Sequence, residues 1–317
     1  MRQLDIPRLP AAWDELSGEQ LIELNRLRRA SDSGKEFKVK ALCYLGGLQL
    51  GRTFSTEGSG RLTFGFRKVD AQGKAGKEEF LLEPWVVHEL FEQYLSWLLQ
   101  PSSRLAEVTD KITVKGRTYA GCGYAMARMT YQQHQFAARY FNEMQRSENA
   151  LLQAVLDKNT SHERMEKLTD QWKMQRRLFM ATVFTPVCRV SSKTVDGKVI
   201  VYPEPKEDYV FSSEQITENA DAFAGVPEEM TDAVIQQFNG VMMHYRKIYP
   251  KLFKEGDTGQ ADFIKVEEST LNTLQSELKF ANYQTIYDSN APFILGKLHT
   301  IILKAEEIQR MNEKMKH

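Results

Sequence analysis

The chain has 317 residues, and its 42 Lys and Arg balance its 42 Asp and Glu. That balance argues against nucleic-acid binding by bulk electrostatics, which rests on a surplus of cations that neutralise phosphates. Hydrophobic residues at 42%, aromatic residues at 10% and charged residues at 26% describe a chain able to bury a core, which excludes a largely disordered protein.

Met1 to Pro10 is polar, is interrupted by Pro7 and Pro10, and lacks the apolar run of a signal peptide. No stretch reaches the roughly 18 consecutive apolar residues of a membrane span. Cys43, Cys122 and Cys188 are few and far apart, so they do not form a disulfide framework; they read as buried, reduced thiols of a cytoplasmic protein.

The first predicted helix opens at Ser17, with Gln20 placed to close a capping box and Leu16 and Leu21 placed to form a hydrophobic staple. It runs to about Ala30, where Ser31-Asp32-Ser33-Gly34 interrupts it, and a second helix spans Lys35 to Leu45. Leu62, Phe64 and Phe66 alternate with polar or small residues, as do Phe80 and Leu82 beyond a glycine-containing turn, which predicts a small β-hairpin. Pro84 suits the first turn of a helix that Pro101 ends, and Lys111 to Lys115 reads as a further strand.

Thr130 with Gln133 forms a second capping box, and Tyr131 to Asp157 contains no Gly or Pro. Lys158-Asn159 breaks the run, and Thr160 with Glu163 opens a helix that ends before Pro186. This pair predicts a long central helical hairpin. Val190 to Phe211 reads as irregular, apart from a candidate strand at Val199-Ile200-Val201. Helices follow over Ser213 to Phe223, Pro227 to about Tyr249 and Ile264 to Phe280, and a last one opens at Asn290-Ala291-Pro292. The fold class is therefore mainly α, a multi-helix single domain over 1–317 with a soft boundary near 101–116.

The chemical motifs point to structure rather than catalysis. Gly121-Cys122-Gly123 lacks the third glycine of a dinucleotide fingerprint and any following Gly-Lys-Ser/Thr, so it reads as a tight turn entering a helix. His134 is the nearest histidine to Cys122, but nothing in the spacing makes the two a catalytic pair. His162-Glu163 lacks the second histidine of a zincin, since Glu166 stands where it is required. Tyr119, Tyr124, Tyr131, Phe136, Tyr140 and Phe141, interleaved with Arg117, Arg128 and Arg139, read as a core stripe with solvated arginines. No catalytic, cofactor-binding or metal-binding residue is assigned.

Charge is uneven along the chain. From Arg26 to Arg52 seven cations stand against two anions, and from Glu204 to Asp232 nine anions stand against one cation. Complementary surfaces of this kind join within one chain or between subunits. Arg26, Arg28, Arg29, Glu228 and Glu229, with Trp13 at the N-terminal segment, are the interaction candidates.

Four stretches carry a family resemblance. The opening Leu9-Pro10-Ala11-Ala12-Trp13-Asp14-Glu15-Leu16-Ser17-Gly18-Glu19-Gln20-Leu21 resembles the start of uncharacterised proteins of Bacteroidetes prophages and related mobile elements. Arg177 to Arg189, Phe238 to Phe253 and the helical tail are similar to the same family. The resemblance implies a phage-encoded morphogenesis protein, a tail-assembly factor or minor virion component whose partners are other phage proteins and copies of itself. It assigns no active-site residues. The alternative is an accessory protein that contacts nucleic acid through Arg26 to Arg52, and a third class is a hydrolase with a scattered site.

Overall fold

The computed structural model describes residues 8–55, 62–70, 72–157, 159–195, 198–209, 211–253 and 268–315. The helices are α1 (Gly18–Arg29), α2 (Gly34–Leu45), α3 (Pro84–Leu95), α4 (Tyr131–Leu156), α5 (His162–Val183), α6 (Ile216–Ala222), α7 (Glu228–Ile248), α8 (Glu268–Leu278), α9 (Tyr283–Asp288) and α10 (Ala291–Met315). The strands are β1 (Leu48–Ser55), β2 (Leu62–Val69), β3 (Ala75–Leu82), β4 (Lys111–Val114), β5 (Arg117–Ala120), β6 (Thr185–Val195) and β7 (Lys198–Tyr209). The protein is mainly α, and among the described residues no helix is long and apolar enough to cross a membrane.

The chain divides into two compact units. Unit 1 is Met1–Arg104 with Glu228–Gly240; unit 2 is Leu105–Pro227 with Val241–His317.

In unit 1, α1 starts on the expected capping box: the Gln20 amide donates to the Ser17 hydroxyl and the Ser17 amide donates to the Gln20 side chain. Leu21 and Leu24 on its apolar face are buried, together with Phe37 and Leu42 of α2 and Phe91 and Leu95 of α3. Trp13 meets Trp97 edge-on at 5.2 Å between ring centroids. Beneath them lies Arg104, 1% exposed, whose Nη1 donates to the carbonyls of Trp13 and Leu16 at 2.9 and 2.7 Å. These bonds fix the chain that leads into α1, because a buried guanidinium is tolerated only where acceptors satisfy it.

The N-terminal β element differs from a lone hairpin. β2 and β3 pair antiparallel with Phe66 opposite Phe80, and β1 adds a third strand with Leu50 opposite Phe66. Two strands alone are marginal in water, so the third strand and the buried Phe66 are what hold this sheet on α2 and α3.

Unit 2 contains α4 and α5, joined by residues 157–161 and packed on each other. Thr130 caps α4 as its box predicts, whereas α5 is capped by Ser161, one residue later than expected, with the Arg164 amide donating to its hydroxyl. Phe141 and Phe179 meet at 6.1 Å between these helices. The region expected to be irregular is instead a long antiparallel pair: β6 and β7 extend a sheet of order β4-β5-β6-β7. Its register shifts between Val190 and Ser192, opposite the stretch that holds Pro203 and Pro205. Proline cannot donate to a ladder, so it is accommodated at an irregularity on the edge strand β7. The turn at Asp196-Gly197 and the expected helix start at Ile264 lie outside the described residues.

Candidate interaction surfaces

Unit 1 carries a pocket of about 490 Å³ between α2, β2 and α3. That size falls within the range of roughly 300–1,000 Å³ typical of ligand sites. Lys35, Lys38 and Val39 line it from α2, at the spacing that places three residues on one helical face. Phe64 enters from β2, and Pro84, Trp85 and His88 come from the first turns of α3.

Trp85 is 61% exposed, and its indole N–H donates to the Glu83 carboxylate at 2.5 Å. Lys38 Nζ lies 2.5 Å from Glu92 and over the Phe91 ring, and His88 approaches the same carboxylate at 3.8 Å. The Lys38 ammonium holds the Glu92 carboxyl below the usual carboxylate range. Lys35 has no ion-pair partner among the described residues.

Unit 2 presents a second surface. α10 is 25 residues long, about 37 Å at the usual rise per residue. Ile294, Ile301, Ile308 and Met315 recur along it every seventh residue, the spacing of a coiled-coil seam. Ile294 and Ile301 are buried, whereas Ile308, Met311 and Met315 are 57%, 51% and 77% exposed. The apolar face that packs in the first half of the helix thus continues uncovered in the second half.

The structure distributes the six interaction candidates unevenly. Trp13 is a core residue of unit 1, so its side chain does not form a surface anchor. Arg28 lies over the Phe37 ring at 4.8 Å and donates to the Leu98 carbonyl at 3.0 Å, and burial holds its pKa below the ordinary arginine value. Arg26 pairs with Glu23 inside α1. Arg29 reaches Asp232 at 2.6 Å and Glu228 at 3.3 Å, which joins the basic and acidic stretches within one chain. Lys40 pairs with Glu36 and caps the Ala30 carbonyl. The Arg52 side chain lies outside the described ones. Glu229 lies in the first turn of α7, where the helix dipole favours a carboxylate. The pocket itself was not legible in the sequence; the only available signal was the Lys35-Lys38-Val39 spacing facing Trp85 and His88.

In unit 2, Cys122, Gln133 and His134 come from neighbouring turns, but their setting is closed. The Cys122 thiol donates to the Val183 carbonyl at 2.8 Å, and Gln133 Nε2 donates to the Thr182 carbonyl at 2.7 Å. Burial pushes the Cys122 thiol up and the His134 imidazole down to about 4. Both shifts oppose a thiolate–imidazolium pair, so this cluster is a packed core feature. The glycine turn beside it is filled by the chain's own carboxylate: Glu107 accepts from the Gly123 amide at 2.6 Å and from Arg128 Nη2 at 2.8 and 3.0 Å. A Cβ on Gly121 would stand 2.6 Å from that carboxylate and 2.8 Å from the Thr109 carbonyl, which explains the glycine. The buried-thiol expectation does not extend to Cys188, which is exposed. Among the described residues no cluster of three His, Cys, Asp or Glu is arranged to hold a metal ion.

Comparison with protein-family models, with curated proteins and with solved structures finds no match to this chain.

Proposed function

We propose that this chain is a non-enzymatic interaction protein, phage-encoded, that acts in tail assembly or as a minor component of the virion. The observation that carries the reading is the uncovered seam of α10. Ile308, Met311 and Met315 continue the buried face of the helix into solvent, and such a face takes up an amphipathic helix of another protein. The resemblance of the opening Leu9 to Leu21 segment to prophage proteins supplies the phage context. In this reading α4 and α5 form a central helical hairpin, two helices of about 39 and 33 Å that stiffen unit 2.

The nucleic-acid reading has less support, because Arg26, Arg29, Lys38 and Lys40 are engaged by carboxylates of the same chain. Co-expression with the tail-tube and tape-measure proteins of the phage that encodes the chain, followed by affinity purification, tests the proposal. The expected result is a complex that is lost on Ile308→Glu with Met311→Glu, while the melting temperature of the variant is unchanged. A wild-type chain that captures none of these proteins, or a complex indifferent to both substitutions, overturns it. A homodimer that dissociates on the same substitutions overturns the choice of partner.

A further inference from the structure

The unit 1 pocket is lined by Val39, Phe64, Pro84, Trp85 and Val87 together with Lys35, Lys38 and His88, and no part of the assembly reading accounts for it. We infer that it is a docking site for an acidic segment of a partner protein that inserts one bulky apolar side chain between Val39, Phe64 and Trp85. The inference does not rest on the α10 seam, which lies in the other unit and shares no residue with the pocket.

Two features select this occupant. First, Val39, Phe64, Trp85 and Val87 give the pocket an apolar lining, from which a large apolar side chain displaces water. Second, the polar side chains of the lining are basic: Lys35, Lys38 and His88. Lys35 has no ion-pair partner among the described residues, whereas Lys38 and His88 share Glu92. A carboxylate arriving beside Lys35 therefore meets an ammonium that no described carboxylate pairs. The two together favour an anion next to an apolar anchor and disfavour a cationic or purely apolar occupant.

The test uses the full chain and two labelled peptides, each with a central Leu-Phe pair, one flanked by glutamates and the other by lysines. Fluorescence anisotropy should show micromolar binding of the glutamate-flanked peptide, weaker at high salt, and none of the lysine-flanked one. Lys35→Glu replaces an attraction by a repulsion and should weaken binding on the order of tenfold. Trp85→Ala should weaken it similarly by removing the wall. Both positions are exposed, and an unchanged melting temperature will establish that each variant is folded. Equal binding of the two peptides, or glutamate-peptide binding indifferent to Lys35→Glu, overturns the inference. So does decanoate competing as well as the peptide, which would make the site one for small apolar acids, and so does preferential binding of single-stranded oligonucleotide.

Discussion

Arg29 of α1 donates its Nε–H to the Asp232 carboxylate of α7 at 2.6 Å, across 203 positions of sequence. The pair places part of the basic stretch on part of the acidic one inside unit 1, and the neighbouring amides of Asn25 and Gln236 exchange two hydrogen bonds at 3.1 and 3.0 Å along the same seam. The Asp232 carboxylate, foremost, holds the Arg29 pKa above its ordinary value. The pair is partly exposed, so its contribution is small, about 0.5–1 kcal/mol. Arg29→Asp should lower the melting temperature by a few degrees, and combining it with Asp232→Arg should restore most of the loss. Thermal denaturation of the two single variants and the double variant measures the coupling; additive losses would show that the two side chains do not interact.

Arg104 offers a larger effect. Replacing it with Ala removes the donor to the Trp13 and Leu16 carbonyls and opens a cavity beneath Trp13, and should cost about 3–5 kcal/mol. Arg104→Lys should recover little, because the shorter lysine side chain does not carry its nitrogen to the position of Nη1 between the two carbonyls. Gly240→Ala acts on the same place from α7: its Cβ would fall 2.6 Å from the Arg104 amide, against backbone that cannot move aside. Urea titration should rank Gly240→Ala among the most destabilising single-methyl additions in the chain.

His134 makes stability depend on pH. Burial lowers its pKa to about 4 from an ordinary 6.5. Between those values the unfolded chain takes up a proton that the folded chain refuses, so stability rises with pH across the window. The contribution is complete above about pH 6.5 and is lost as pH falls toward 4, by about 3 kcal/mol in all. His134→Leu should flatten this part of the profile. Chemical denaturation at pH 7 and pH 4.5 for both proteins reads the difference, and parallel profiles would contradict it.

The thiols should separate by burial. Cys188 is exposed, whereas Cys43 and Cys122 are buried and burial pushes Cys43 up to about 12. A thiolate is the reactive species, so Cys188 should react with a disulfide reagent far faster than the other two. One thiol should titrate in native protein and all three in denaturant. Rapid native labelling of Cys122 would show that the loop Gly121 to Gly123 opens.

Local chemistry determined much of this protein. The capping boxes at Ser17 and Thr130, the proline at the start of α3 and the alternation of β2 and β3 act within a few residues, so they are legible without any partner. Tertiary structure decided the rest. β6 and β7 carry prolines and many charges and look irregular until β5 supplies an edge for β6 to extend, with Tyr119 opposite Pro186. Trp13 looks like a surface anchor until Trp97 and Arg104 enclose it. Arg29 looks like part of an open basic patch until α7 returns Asp232 to it. The pocket exists only where α2, β2 and α3 converge. Backbone capping is settled by neighbours three or four positions away, whereas burial, ion pairing and cavity shape depend on contacts between distant segments, and only folding brings those together.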